Sequence, residues 1–144
     1  MDFCIYRELK LSIGEPQQKD ATYSLGHDCY LRKDPNKNYY LLQKRECSLR
    51  LDEMEMQQLV DIRQTIEGAI GNFLNNKEVK LTQHLGGLIY VSVQSPYYSV
   101  DVRKFWIVPD NNKLHPTKIG IPLTFDEYRC LNTWLMALHP KWFD

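Results

Sequence analysis

Hydrophobic and polar positions change period several times along the chain, and each change marks an element. Phe3, Ile5, Leu9, Leu11 and Ile13 alternate with Cys4, Tyr6, Glu8, Lys10 and Ser12, the two-residue period of a half-buried strand. Glu15-Pro16-Gln17-Gln18-Lys19 reads as a polar loop. Thr22 to Arg32 predicts a second strand and Asn38 to Arg50 a third, with a bend in the third left open, separated by the turn chemistry of Asp34-Pro35-Asn36-Lys37. The period then lengthens. Met56, Leu59, Ile62, Ile66, Ala69, Ile70 and Phe73 recur at helical spacing, predicting a helix from Asp52 to Asn75. After a linker at Asn75-Asn76-Lys77-Glu78, Leu88 to Gln94 and Tyr98 to Val108 predict strands. Lys113 to Leu123 predicts a shorter, proline-interrupted strand pair. Tyr128, Leu131, Trp134, Leu135 and Leu138 predict a closing helix from Thr124 to His139, stopped by Pro140.

The two helix starts repeat one another. Leu51, Glu55 and Leu59 match Leu123, Glu127 and Leu131, each pair 72 residues apart in a chain of 144. Asp52 and Thr124 are good N-caps, and a glutamate three residues later can reach back to the cap's own N–H. The pattern predicts an α+β fold of two tandem copies, residues 1–76 and 77–144. Each is several strands followed by one long helix. A unit of ~70 residues buries little by itself, so the copies are expected to pack as an intramolecular pseudo-dimer.

Composition narrows the function. Eighteen basic and 18 acidic residues cancel, which argues against a binder driven by bulk positive charge. The cancellation conceals segregation. Residues 30–50 hold six basic side chains against two acids, and residues 52–67 hold five acids against one arginine. Phosphate responds to the local field, since screening acts over ~10 Å at ordinary salt. Nine Tyr, five Phe and three Trp supply core as well as flat platforms on which bases stack. The four cysteines form no CxxC pair, and Met1-Asp2-Phe3 opens no secretory leader. Free thiols and an intracellular protein are therefore expected. No apolar run approaches the ~20 residues of a membrane helix. His27-Asp28-Cys29 with Cys47 lacks the paired spacing of a zinc site. Phosphate-loop, GxSxG and HExxH motifs are missing too. Neither an enzyme nor a cofactor or metal is expected.

The second half is similar to a known family. Tyr90-Val91-Ser92-Val93, then Val100-Asp101-Val102-Arg103-Lys104-Phe105-Trp106, Pro109-Asp110, His115-Pro116-Thr117-Lys118-Ile119-Gly120-Ile121-Pro122-Leu123 and Phe125-Asp126-Glu127-Tyr128 follow one another in a specific order. In that order they resemble the single-stranded-DNA-binding domain of the transcriptional coactivator called positive cofactor four, the Sub-one family. The first half matches through Asp34-Pro35 and Leu51 to Leu59. The aromatic-Trp motif is missing there, and Leu31-Arg32 stands in its place. The resemblance implies a curved four-stranded antiparallel sheet followed by a helix, with helices packed between two copies. It also implies binding of unpaired DNA or melted duplex along the sheets, in support of transcription or repair. The role expected here is transcription, with replication left open, and the expected location is nuclear or otherwise intracellular at sites of transcription.

On that resemblance Trp106 takes the base-stacking position, Arg103 a phosphate-contacting one and Lys118 a further basic one, with Lys104 on the same strand. Tyr97 and Tyr98 fall in the turn that carries another stacking aromatic. His115 and Ile119 replace basic residues. In the first half Arg32, Lys33, Lys37, Lys44 and Arg45 are the candidate phosphate contacts, with Tyr39 and Tyr40 as candidate platforms by composition. The expected partners are single-stranded DNA, with RNA left open, and the transcription machinery; further self-association is also left open. The rival reading is a protein-interaction module of a transcription complex with the same fold and little nucleic-acid binding. It is favoured by the neutral charge, the missing first-half Trp, and His115 and Ile119 at basic positions.

Overall fold

A computed structural model describes residues 21–144; the expected strand at residues 3–13 lies outside them. The fold is α+β. A first antiparallel sheet holds β1 (Ala21–Gly26), β2 (Cys29–Lys33), β3 (Tyr39–Lys44) and β4 (Cys47–Asp52) in sequential order. Helices α1 (Glu53–Asp61) and α2 (Arg63–Leu74) follow. A second sheet holds β5 (Lys80–Gly86), β6 (Ile89–Gln94), β7 (Val100–Ile107) and β8 (Leu114–Leu123), also in sequential order. Helix α3 (Phe125–Leu138) and a 3-10 turn (Pro140–Phe143) end the chain.

Both predicted caps form. Asp52 Oδ1 accepts from the Glu55 amide at 2.7 Å, while Glu55 Oε1 accepts from the Asp52 amide at 2.8 Å. Thr124 and Glu127 repeat the exchange at 3.0 and 2.9 Å. Two orphan donors are satisfied at each helix start.

The differences lie where turns interrupt a smooth pattern. Thr22 to Arg32 is two strands, because Asp28 turns the chain with φ of 54°. Asn38 to Arg50 is likewise two strands, hinged at Arg45 with φ of 56°. The single helix expected over residues 52–75 breaks at Ile62, whose ψ of 14° leaves the helical region. There the guanidinium of Arg63 donates to the Val60 carbonyl at 3.0 Å. Strand β5 has no clear counterpart in the sequence pattern. The expected strand pair at 113–123 is one ten-residue strand. Its prolines are tolerated because β8 is the last strand of its sheet and its outer edge needs no ladder donors.

Burial alternates along most strands. Tyr23, Leu25, Leu31, Leu42, Leu49 and Leu51 of the first sheet face inward, as do Val91, Val93, Val100, Val102, Ile121 and Leu123 of the second. The helices cover these inner faces crosswise. α3, from the end of the chain, packs on β1, and α1 packs on β5. Trp134 of α3 is fully buried, lies 4.5 Å from the Tyr23 ring and donates from Nε1 to the Ser24 carbonyl at 2.9 Å. One core thus draws on both sheets and all three helices. Removing a buried indole of this kind costs ~3–5 kcal/mol. Among the described residues no helix is long and apolar enough to cross a membrane.

Candidate nucleic-acid interface

With the inner faces packed, the outer faces of the sheets carry the surface chemistry. On the second sheet, β5, β6 and β7 align Thr82, Ser92 and Asp101 in one cross-strand row and His84, Tyr90 and Arg103 in the next. A groove of about 730 Å³ opens over them. Its floor is polar. Tyr97 and Phe105 contribute aromatic walls, and Arg103 and Lys118 are its cationic lining residues.

Arg103 is firmly held. Its Nε donates to Asp101 Oδ2 at 2.8 Å and its Nη2 to Asp101 Oδ1 at 2.9 Å, while Nη1 donates to the Thr117 carbonyl at 2.9 Å. The hydrogen bonds to Asp101 raise the guanidinium's pKa above its already high value, burial opposing them. The side chain fills the space over Gly120, where a Cβ would meet Arg103 Cζ at 2.5 Å. A larger residue at that crossing would have to displace the Arg103 side chain. Lys118 is exposed.

The strand period separates residues that stand next to each other in sequence. Asp101, Arg103 and Phe105 share the groove face, whereas Lys104 and Trp106 point to the opposite side. Phe105 continues an aromatic run, 5.0 Å from Tyr90, which is 4.8 Å from His84. Trp106 is 48% exposed and paired across the ladder with His115, ring centroids 6.2 Å apart. It is an accessible platform, on a different surface from Arg103. Tyr97 is exposed at one end of the groove. Tyr98 instead leans on Phe73, at 4.6 Å, outside the groove.

The first-sheet candidates are scattered. Arg32 lies on the outer face, where Nη1 donates to Gln43 Oε1 at 3.1 Å. Lys33 is tied to the turn carbonyls of Asp34 and Lys37. Lys37 and Arg45 are exposed turn residues. Lys44 points inward and pairs with Glu127 at 2.8 Å. Tyr40 is buried at 2% exposure, its hydroxyl bonded to His139, so it is core and not a platform. Two outer-face residues outside the candidate set are better placed. Arg50 sits opposite Leu41 in the row shared with Arg32, its guanidinium 4.5 Å from the Tyr39 ring. Tyr30, 38% exposed, stands in the neighbouring row. Parity with Arg32 along the strands was the available signal.

Register also relocates the missing aromatic-Trp motif. Gly26 pairs with Cys29, and Cys29 with Lys44; Gly86 pairs with Ile89, and Ile89 with Lys104. Lys44 therefore corresponds to Lys104, and the counterpart of Phe105-Trp106 is the turn Arg45-Glu46, not Leu31-Arg32. Beyond that point β7 and β8 continue as a ribbon that the first sheet lacks. Among the described residues no group of three His, Cys, Asp or Glu side chains could hold a metal ion.

Comparison of the chain with known protein families, curated proteins and solved structures finds no match.

Proposed function

We propose that the chain binds single-stranded nucleic acid on the outer faces of its sheets, with DNA in the service of transcription as the leading case. The observation that carries the reading is the groove on the second sheet. Flat rings (Phe105, Tyr97) and cations (Arg103, Lys118) line one trough open to solvent. Stacking contributes ~1–3 kcal/mol per base, and the cations offset phosphate charge. Arg50 with Tyr39, and Arg32 with Tyr30, offer a second patch of the same chemistry on the first sheet. The resemblance to the positive cofactor four family points the same way.

We further propose that the two sheet-helix units form an intramolecular pseudo-dimer. Reciprocal contacts support this. Glu127 of α3 faces Gly26 of the first sheet, and Glu55 of α1 faces Gly86 of the second. Each helix packs on the first described strand of the other unit.

The protein-interaction reading draws on one observation. Arg103 is already paired with Asp101, which leaves Lys118 as the exposed cation lining the groove. A titration of labelled single-stranded oligonucleotide at two salt concentrations separates the readings. Nucleic-acid binding predicts saturable binding whose log affinity falls with log salt by ~0.7 per phosphate neutralised. Absence of saturable binding at low salt would leave the interaction module.

A further inference from the structure

The groove floor is not what a base-blind binder needs. Indifferent recognition of single strands uses rings and cations, which treat all bases alike. Here Asp101 lines the groove, its side chain 24% exposed. A carboxylate repels phosphate, so within a nucleic-acid site it has to face something that donates. Its neighbours are also hydrogen-bonding groups. Ser92 is its cross-strand partner, Thr82 Oγ1 lies 3.3 Å from Ser92 Oγ, and Gln94 Nε2 donates to Thr82 Oγ1 at 3.5 Å. Gln94 Nε2 is thus directed at Thr82, leaving its carbonyl oxygen as an acceptor.

Arg103 fixes what Asp101 can still do. The fork of Nε and Nη2 takes one lone pair from each oxygen and holds the carboxylate in one orientation. Each oxygen keeps acceptor capacity and neither can donate. Such a group accepts from an exocyclic amine, as in the pairing of Asp with cytosine N4. It is repelled by a carbonyl oxygen in the same place.

We propose that this groove is a base-reading subsite, selecting bases that present an exocyclic amino group over thymine or uracil. Asp101 is the reader, Arg103 its positioning residue, and Phe105 and Tyr97 the flanking rings. The proposal rests on the nucleic-acid reading above and replaces indifference to sequence with a preference.

Cytosine and uracil have the same ring and differ at the 4-position and its adjacent nitrogen. Fluorescence anisotropy with equal-length oligo-dC and oligo-dU, at neutral pH and constant salt, therefore isolates the discrimination. The expected result is oligo-dC bound about tenfold more tightly, the scale of one good base contact. Asp101→Asn, which presents an amide donor as well as an acceptor, should bring the ratio close to one. The ratio is the readout because freeing Arg103 can raise both affinities together. If Asp101→Asn does not fold, the ratio in the parent protein decides alone. Equal affinities for oligo-dC and oligo-dU overturn the inference while leaving the proposed function intact. Binding of neither oligonucleotide removes the proposed function as well.

Discussion

Lys44 donates from Nζ to Glu127 Oε1 at 2.8 Å, joining the end of β3 to the first turn of α3 across 83 residues of chain. The side chains are 15% and 9% exposed, and Lys44 also donates to the Pro122 carbonyl at 2.7 Å. Glu127 Oε1 in turn caps the Thr124 amide. A lysine that the charge pattern assigns to phosphate is thus occupied in tying the first sheet to α3. Removing one partner of a buried pair strands the other charge, at a cost of ~3–5 kcal/mol. Lys44→Ala should therefore lower stability by about 3 kcal/mol in urea unfolding and leave oligonucleotide affinity unchanged in the folded protein. Loss of affinity with unaltered stability would return Lys44 to the nucleic-acid surface.

The same contact makes Gly26 sensitive. A Cβ at that position would lie 3.1 Å from Glu127 Cγ, and the glutamate is pinned by Lys44 and Thr124. Gly26→Ala should cost roughly 1–3 kcal/mol, the usual penalty of overpacking. Lys44→Ala/Gly26→Ala should cost less than the sum of the two single changes, because an unpinned glutamate can move aside. Strict additivity in the double-mutant cycle would show that the contact is not the cause.

What could be read from the chain alone followed from local rules. The two capping boxes, the turn at Asp34-Pro35 and the helical spacing of Tyr128, Leu131, Trp134 and Leu135 each depend on residues a few positions apart. What could not be read depended on partners far along the chain. Lys44 and Arg32 look alike in sequence, yet one meets Glu127 and the other the outer face. Gly26-His27-Asp28 was concealed as a turn by Leu25, Cys29 and Leu31, which keep one parity across it. On the second sheet, the resemblance assigns both Arg103 and Trp106 to the nucleic-acid surface. The two-residue period puts Arg103 with Phe105 instead, and only the paired register shows that Asp101 stands between them and Ser92.

That separation can be tested. Phe105 lines the groove and Trp106 does not. Phe105→Ala should weaken oligonucleotide binding about tenfold, in the range of one lost stack, and Trp106→Ala should weaken it less. Phe105→Leu, which keeps volume against Tyr90, controls for stability and should still bind weakly. A larger loss at Trp106 than at Phe105 would place the stacking surface on the other side of the ribbon.

Cysteine reactivity probes the same interior. Cys29 is fully buried and Cys47 exposed, on strands flanking Lys44. Burial, reinforced by the nearby Glu127 charge and opposed by Lys44, pushes the Cys29 thiol up to about 12. The thiolate is the reactive form. In the native protein at pH 8, iodoacetamide should modify Cys47 and spare Cys29 and Cys130, as read by peptide mass spectrometry. Modification of Cys29 at the rate of Cys47 would mean that the packing of α3 against the first sheet opens readily.

His139 links the end of the chain to the first sheet. Its ring stacks on Trp142 at 3.8 Å with 7° between the planes, and Nε2 meets the Tyr40 hydroxyl. Burial lowers its pKa below the ordinary 6.5; Glu53 opposes the shift and Lys33 adds to it. The folded state therefore binds this proton less readily than the unfolded state does. The contribution to stability is present above pH 6.5 and fades as pH falls through the lowered value. Carboxylates titrate lower in the same direction, so the comparison is with His139→Gln, which has no ring to protonate. Between pH 7.5 and 5.5 the parent protein should lose more stability in urea unfolding than His139→Gln does. Parallel pH profiles for the two proteins would show that the imidazole titrates alike in both states, and that its packing against Trp142 and Tyr40 does not exclude the charged form.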